Sequence, residues 1–126
     1  MIGNKYLEGL FNYSDEDTGL NELLDLLKYK DKIFIESLIK EPVDLNLCTV
    51  EEIEYLTKTS ALIDYYLQMH GLVVPDWLRD KRLLFDKPYY HSKRLSDFDK
   101  FKLQYTNHAP FRARNVYFDL DAIDRV

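Results

Sequence analysis

The residues best suited to metal binding or acid–base chemistry are three histidines and one cysteine, and they lie far apart in the sequence. None of His70, His91 and His108 has a His or Cys three or four residues away, the spacing that places two metal ligands on one helix face. The single cysteine, Cys48, excludes an intrachain disulfide and a cysteine zinc site. The sequence therefore predicts no catalytic residue, no metal and no cofactor. A small hydrolase or nuclease using His91 or His108 stays open as a second alternative, because a cluster formed only in three dimensions is invisible in sequence.

The charged residues divide the chain into an acidic part and a basic part. Residues 1–78 contain 6 Lys or Arg against 15 Asp or Glu, whereas residues 79–115 contain 10 against 4. Such a division indicates either an anionic partner for the basic segment or attraction between the two parts within the fold. Both explanations stay open at this point.

The basic segment also contains many aromatic residues, a composition able to neutralise phosphates and stack bases. No helix-turn-helix, RRM, KH or zinc-finger signature accompanies it. Nucleic-acid binding by residues 79–114 is thus the first alternative to a protein-interaction role. We expect Arg112 and Arg114 either to hold the C-terminal segment against acidic groups of the N-terminal part or to face a partner. The residues predicted to contact a partner are Arg79, Arg82, Tyr89, Tyr90, Lys93, Arg94, Arg112 and Arg114.

The elements that must position these residues are organised around a central helix at about 49–70. Thr49 and Glu52 have the spacing of a capping box, in which each side chain accepts a hydrogen bond from the other residue's backbone N–H. Apolar residues then recur at steps of three and four, and Gly71 supplies the stop. In the second half only Asp64 and Gln68 are left to face water, so we expect this half to be buried on most sides.

Apolar spacing predicts shorter helices before and after this one. Three of them cover residues 4–11, residues 33–39 and residues 96–106. Another lies between the first two, is capped by Asp17 or Thr18 and ends before Asp31. For residues 33–36 a strand is the alternative, because β-branched residues are frequent there.

Three further segments are predicted to be short or extended. Residues 44–48 are expected to form an extended linker, and Asp76 is expected to cap a short helical turn. Pro110 is expected to end any helix, so that the alternation of apolar and polar residues that follows predicts an extended C-terminal strap at about 110–118. A final helical turn capped by Asp119 is predicted after it.

Length and composition indicate one mainly α domain over residues 1–126, a helical bundle. The chain is 46% hydrophobic and 31% charged, inside the globular range, and 126 residues suffice for a single core. Its start has no signal-peptide pattern, and no stretch approaches the roughly 20 apolar residues of a membrane span. We therefore predict a cytoplasmic protein. Ten tyrosines can fill the edge of a core or supply contact surface at an interface.

Three stretches in the C-terminal half carry a resemblance: HGLVVPDWLRD, Pro88-Tyr89-Tyr90, and APFRARNVYFDLDAIDRV. Residues 62–126 resemble a region of poorly characterised bacterial proteins, often found beyond a helix-turn-helix domain in regulators or in small proteins associated with toxin–antitoxin loci. The resemblance implies a helical accessory or regulatory module rather than an enzyme. This chain departs from the pattern, since residues 1–48 are acidic and contain no recognition helix.

These observations lead to one expected function. We predict a non-catalytic protein-interaction or regulatory module, in a setting such as a toxin–antitoxin system. The partner is expected to be a protein, with nucleic acid as the alternative, and no membrane or cofactor is expected. The identity of the partner and the oligomeric state do not follow from the sequence.

Overall fold

The computed structural model describes residues 2–12, 16–91, 96–106 and 108–118. In these residues the chain is mainly helical, as predicted. The α-helices are α1 (Lys5–Phe11), α2 (Glu16–Tyr29), α3 (Lys32–Leu38), α4 (Val50–Met69), α5 (Asp97–Thr106) and α6 (Ala109–Arg114). Two short strands, β1 (Tyr89–Tyr90) and β2 (Val116–Tyr117), form a parallel pair, and 3₁₀ turns occupy Leu45–Leu47 and Asp76–Arg79.

The central position of α4 is confirmed. It contacts α1, α2, α6, β2 and the second 3₁₀ turn, and its side chains at Leu62, Ile63 and Leu67 are fully buried. The capping box is formed as predicted: the Thr49 backbone N–H donates to Glu52 Oε1 at 2.9 Å, and the Glu52 N–H donates to Thr49 Oγ1 at 3.2 Å. The helix stops where expected, because Gly71 adopts a left-handed φ of +70° that favours glycine.

The N-terminal helices are tied to one another by a buried cap at Asn4. Its Oδ1 atom accepts hydrogen bonds from the N–H groups of Tyr6 and Leu7, which begin α1. Its Nδ2 group donates to the carbonyl of Leu38, the last residue of α3, and to that of Glu41, each at 2.8 Å. One asparagine thus satisfies the start of one helix and the end of another.

Three local predictions in the N-terminal half need correction. The strand alternative at 33–36 is wrong: these residues lie in α3, where Asp31 accepts from the Phe34 N–H at 2.9 Å. α2 begins at Glu16, so Asp17 and Thr18 lie inside the helix rather than capping it. Residues 45–47 coil into a 3₁₀ turn because the Asp44 side chain accepts from the Asn46 N–H.

The predicted strap at 110–118 is helical in its first part. Pro110 lies in the first turn of α6, where backbone N–H groups make no hydrogen bond within the helix. Proline, which has no N–H, therefore costs no hydrogen bond there, and it lies at the start of a helix instead of ending one. Asn115 closes α6 with a left-handed φ of 57°, and only then does the chain extend into β2. The strand pairs Tyr89 with Val116 and Tyr90 with Tyr117. The final turn predicted after Asp119 lies outside the described residues.

No helix in the described part of the chain is both long and apolar enough to cross a membrane.

Candidate functional site

The focus of the candidate site is Asp64, which was expected to face water but is 1% exposed. It lies on α4 with its carboxylate directed between the 3₁₀ turn at Asp76–Arg79 and α6. A buried carboxylate is costly unless it is paired and hydrogen-bonded. Two arginines of the basic segment, Arg79 and Arg114, supply that pairing.

Arg114 is the buried member of the pair, with 4% exposure. Its Nη2 group donates to Asp64 Oδ2 at 2.9 Å and to the Leu78 carbonyl at 2.7 Å. Its Nε group donates to Ser60 Oγ at 3.1 Å, and its Nη1 group donates to the Pro110 carbonyl at 2.8 Å. A single guanidinium therefore joins α4, the second 3₁₀ turn and α6. This places Arg114 in the intramolecular role that the sequence had left as one of two options.

Arg79 binds the same carboxylate from the solvent side. Its Nε and Nη2 groups donate to the two oxygens of Asp64 at 3.0 and 3.1 Å, a bidentate geometry, while the side chain stays 54% exposed. Gln68 Nε2, one helical turn along α4, donates to Asp64 Oδ1 at 2.8 Å. Each oxygen of Asp64 thus accepts two hydrogen bonds, which fills the acceptor positions of a carboxylate.

The electrostatics of the cluster keep it ionised. Burial by itself would raise the pKa of Asp64, but hydrogen bonds from Arg79, Gln68 and Arg114 outweigh burial and hold that pKa below its ordinary value. Burial lowers the pKa of Arg114, against the opposing effect of Asp64. The ordinary pKa of an arginine side chain lies so far above neutral pH that Arg114 keeps its proton. The cluster therefore carries two positive charges and one negative charge.

The hydrogen bonds and charges of this cluster make it poorly suited to proton transfer. Asp64 has no acceptor position left for a substrate proton, and its lowered pKa makes it a weak base. The nearby Ser60 hydroxyl donates to the Thr57 carbonyl at 3.1 Å and accepts from Arg114, so neither interaction activates it as a nucleophile.

An open groove of about 610 Å³ lies over this cluster, between α4, α6 and the chain after the second 3₁₀ turn. We call it the α4–α6 groove. Its apolar walls come from Leu83, Leu84, Ala109, Pro110 and Ala113. Its polar end is formed by Asp64, Gln68, Arg79, Asp80, Lys81 and Arg114. Leu84 is 52% exposed, so the groove presents a large apolar side chain to a bound group.

The polar end of the groove has an excess of positive charge. Asp64 offsets one of the two guanidinium groups, and Asp80 is paired at 3.0 Å with Arg82, which does not line the groove. Lys81 is exposed and makes no hydrogen bond or ion pair with the described residues, and the Arg79 Nη1 group also has no acceptor among them. Donors and charge are thus available for an anionic group.

The other arginines and lysines predicted to contact a partner have different positions. Arg82 holds both oxygens of Asp80 and reaches Asn46 Oδ1 at 2.8 Å. Arg112 is exposed on α6, two residues from the buried Arg114. Lys93 and Arg94 lie outside the described residues. Of the predicted arginines and lysines that the structure describes, only Arg79 and Arg114 come together in one site.

Tyr89 and Tyr90, also predicted to contact a partner, lie half-buried on β1. Tyr89 stacks on Phe85 at 5.4 Å between ring centroids, and the Lys58 ammonium lies 4.1 Å from its ring centroid. Tyr90 stacks on Tyr117 at 5.5 Å, and its hydroxyl accepts a hydrogen bond from Gln104. Both rings contribute to packing between the strands and their neighbours.

The residues considered for metal binding or catalysis lie in separate surroundings. His70 is the C-cap of α4, His91 packs against Phe118, and His108 packs against Tyr65. In the described ranges no three His, Cys, Asp or Glu side chains lie close enough to hold a metal ion. Burial and the nearby Glu52 raise the pKa of Cys48, which opposes the thiolate that a helix start would favour.

Sequence reasoning missed Asp64 as a site residue, although a signal was present. Asp64 stands in a stretch of α4 whose other residues are almost all apolar, and an acid there needs a cationic partner if the helix is buried. The arginines of the basic segment were available as partners. Treating the acid as the solvated side of an amphipathic helix hid that connection.

No protein-family model, no curated protein and no solved structure matches this chain.

Proposed function

We propose that this chain is a non-catalytic protein-interaction module and that the α4–α6 groove is its binding site. The groove receives an apolar side chain of a protein partner, with a carboxylate of that partner against the basic polar end. A regulatory role, in a setting such as a toxin–antitoxin system, rests on the sequence resemblance alone.

One observation carries the proposal: the groove combines apolar walls with a polar end whose buried carboxylate, Asp64, is fully hydrogen-bonded. Apolar walls with a few fixed polar groups are typical of binding sites, the walls giving affinity and the polar groups giving orientation. Because Asp64 is saturated by Arg79, Gln68 and Arg114, the polar end offers donors rather than a reactive group.

The chemistry of the partner follows from the charge at that end. Arg79 and Lys81 are exposed at the mouth of the groove and have donors to spare. A partner carboxylate beside its apolar anchor would neutralise the excess positive charge and accept charge-assisted hydrogen bonds. A cationic partner would be repelled there.

The two alternatives from the sequence stay predictions, and no observation favours either over the groove. Nucleic-acid binding would have to use the basic segment without Arg114, which is 4% exposed. A His-dependent hydrolase would need His91 or His108 beside a carboxylate.

The experiment is selection of peptides from a random displayed library on the immobilised protein, followed by affinity measurement on purified peptides. We expect the selected peptides to share a large apolar residue next to Asp or Glu. Leu84→Asp should weaken their binding at least about tenfold, because it puts a like charge at the wall where the apolar side chain packs.

Leu47→Asp is the matched control, since Leu47 is 67% exposed and lies outside the groove. Its affinity for the peptides should equal that of the wild type. Peptides that bind both variants equally, or a library that yields no groove-dependent binder, would contradict the proposal.

A further inference from the structure

We propose that the α4–α6 groove is occupied by the start of α5 of a second copy of this chain, with Phe98 as the apolar anchor. This inference rests on the proposed function, because it names the partner of the same groove. It follows from comparing what the groove requires with what the surface of the described residues presents.

The groove requires a large apolar side chain flanked by negative charge. Phe98 is 73% exposed and lies in the first turn of α5 between Asp97 and Asp99, both exposed. Asp99 accepts a hydrogen bond from Ser96 Oγ at 2.9 Å, whereas Asp97 makes no hydrogen bond or ion pair with the described residues. Among the described residues no cation holds the Asp97 carboxylate, and in the proposed pair it binds Arg79 or Lys81 of the other copy.

Other exposed aromatic residues of the described chain fit the groove less well. Tyr29, 69% exposed, stands between Lys28 and Lys30, and Phe101, 59% exposed, stands between Lys100 and Lys102. Tyr6, 43% exposed, follows Lys5 and packs its ring against Phe34. The adjacent lysines would bring like charge to Arg79 and Lys81. Charge complementarity therefore selects Phe98.

The same chain carries both the groove and its occupant, which allows a reciprocal pair. Phe98 does not fill the groove of its own chain, as its exposure shows. In a twofold pair, each copy places its α5 in the groove of the other, and the contact closes without forming a fibre. A contact made of one anchor and a few rim charges on each side is small, so we expect a dissociation constant between about 1 μM and 1 mM.

The test is sedimentation velocity of the full chain over a range of concentrations. The wild type should form a dimer as concentration rises. Phe98→Ala should weaken it at least about tenfold, since a central aromatic anchor is lost. Tyr29→Ala, a matched exposed aromatic between lysines, should leave the dimer unchanged.

A charge exchange between two copies makes the test specific. Asp97→Lys alone and Lys81→Glu alone should each weaken self-association, because like charges then meet in both contacts. Mixing the two variants should restore association, because each groove then faces a helix of opposite charge.

A wild-type chain that stays monomeric up to about 1 mM, a dimer insensitive to Phe98→Ala, or a mixture that does not associate would overturn this inference. The proposed function is tested separately by peptide binding to the Phe98→Ala variant, whose groove is free of competition. Groove-dependent peptide binding without self-association would reject the second copy as occupant and keep the groove as a docking site.

Discussion

Two arginines on one short helix have opposite surroundings. Arg114 is 4% exposed and fixed by Asp64, Ser60 and two backbone carbonyls, while Arg112 is exposed. Successive helical residues differ in direction by about 100°, so residues two apart face nearly opposite sides. The sequence showed two equivalent arginines, and only the position of Asp64 separates their roles.

This difference predicts unequal effects of the two alanine substitutions on stability. Arg114→Ala leaves the buried Asp64 carboxylate without its buried partner, and we expect the free energy of unfolding to fall by about 3 kcal/mol or more. Arg112→Ala should change it by no more than about 0.5 kcal/mol, as for an ordinary surface residue. Urea denaturation of the three proteins measures both values. Equal losses in the two variants would argue against the role assigned to Arg114.

The site could be predicted from single residues only in part. Composition indicates Arg79 and Arg114 as interaction residues, but it indicates Lys93 and Arg94 equally, and these two lie outside the described residues. The apolar neighbours of Asp64 signal that it needs a cationic partner, but they do not identify that partner, because the two arginines lie 15 and 50 residues away. Local periodicity describes a helix face, whereas charge pairing across the fold depends on tertiary packing.

At the scale of elements, α4 and α6 show where local rules succeed and where they fail. α4 has a capping box, apolar spacing and a glycine stop that all agree, so its limits follow from sequence. α6 has six residues, too few for a helix that is stable by itself. It persists because Phe111 is fully buried and Arg114 is bound to α4. Pro110 lies in the first turn of α6, a position that proline tolerates, although proline ends a helix when it lies in the interior.

The capping box gives a prediction for α4. Thr49→Ala removes the acceptor for the Glu52 N–H, and we expect a loss of about 1 kcal/mol in the free energy of unfolding. Thr49→Ser keeps a hydroxyl in the same place and is the control, with stability close to the wild type. Urea unfolding measures both: the midpoint of each variant gives its change in stability, provided that the m-value is unchanged. A Thr49→Ala variant as stable as Thr49→Ser would show that the cap contributes little to the central helix.

For the whole molecule, part of the charge division is used inside the fold. Arg79 and Arg114 of the basic segment bind Asp64 of the acidic part. Attraction between the parts was one of the two explanations open from the sequence, and these contacts are an instance of it. Lys81, Lys87, Lys102 and Arg112 of the same segment are exposed, on a chain of net charge −5.

That distribution gives an expectation for nucleic acid. The affinity of a protein for nucleic acid rises with the number of Lys and Arg side chains that neutralise phosphates and release their counterions. When many such contacts form, the affinity falls steeply as salt rises. Because Arg114 is buried and Arg79 and Arg82 bind carboxylates, we expect binding no tighter than about 10⁻⁴ M, the weak end of non-specific binding. Fluorescence anisotropy with labelled single- and double-stranded DNA, at about 50 mM and 200 mM salt, measures it.

Tight binding at low salt that weakens by about 10³ or more at the higher salt would instead favour a basic interface over the α4–α6 groove. The same titration with Lys81→Glu would then show whether the mouth of the groove belongs to that interface, because removing one phosphate contact lowers the salt slope by about one.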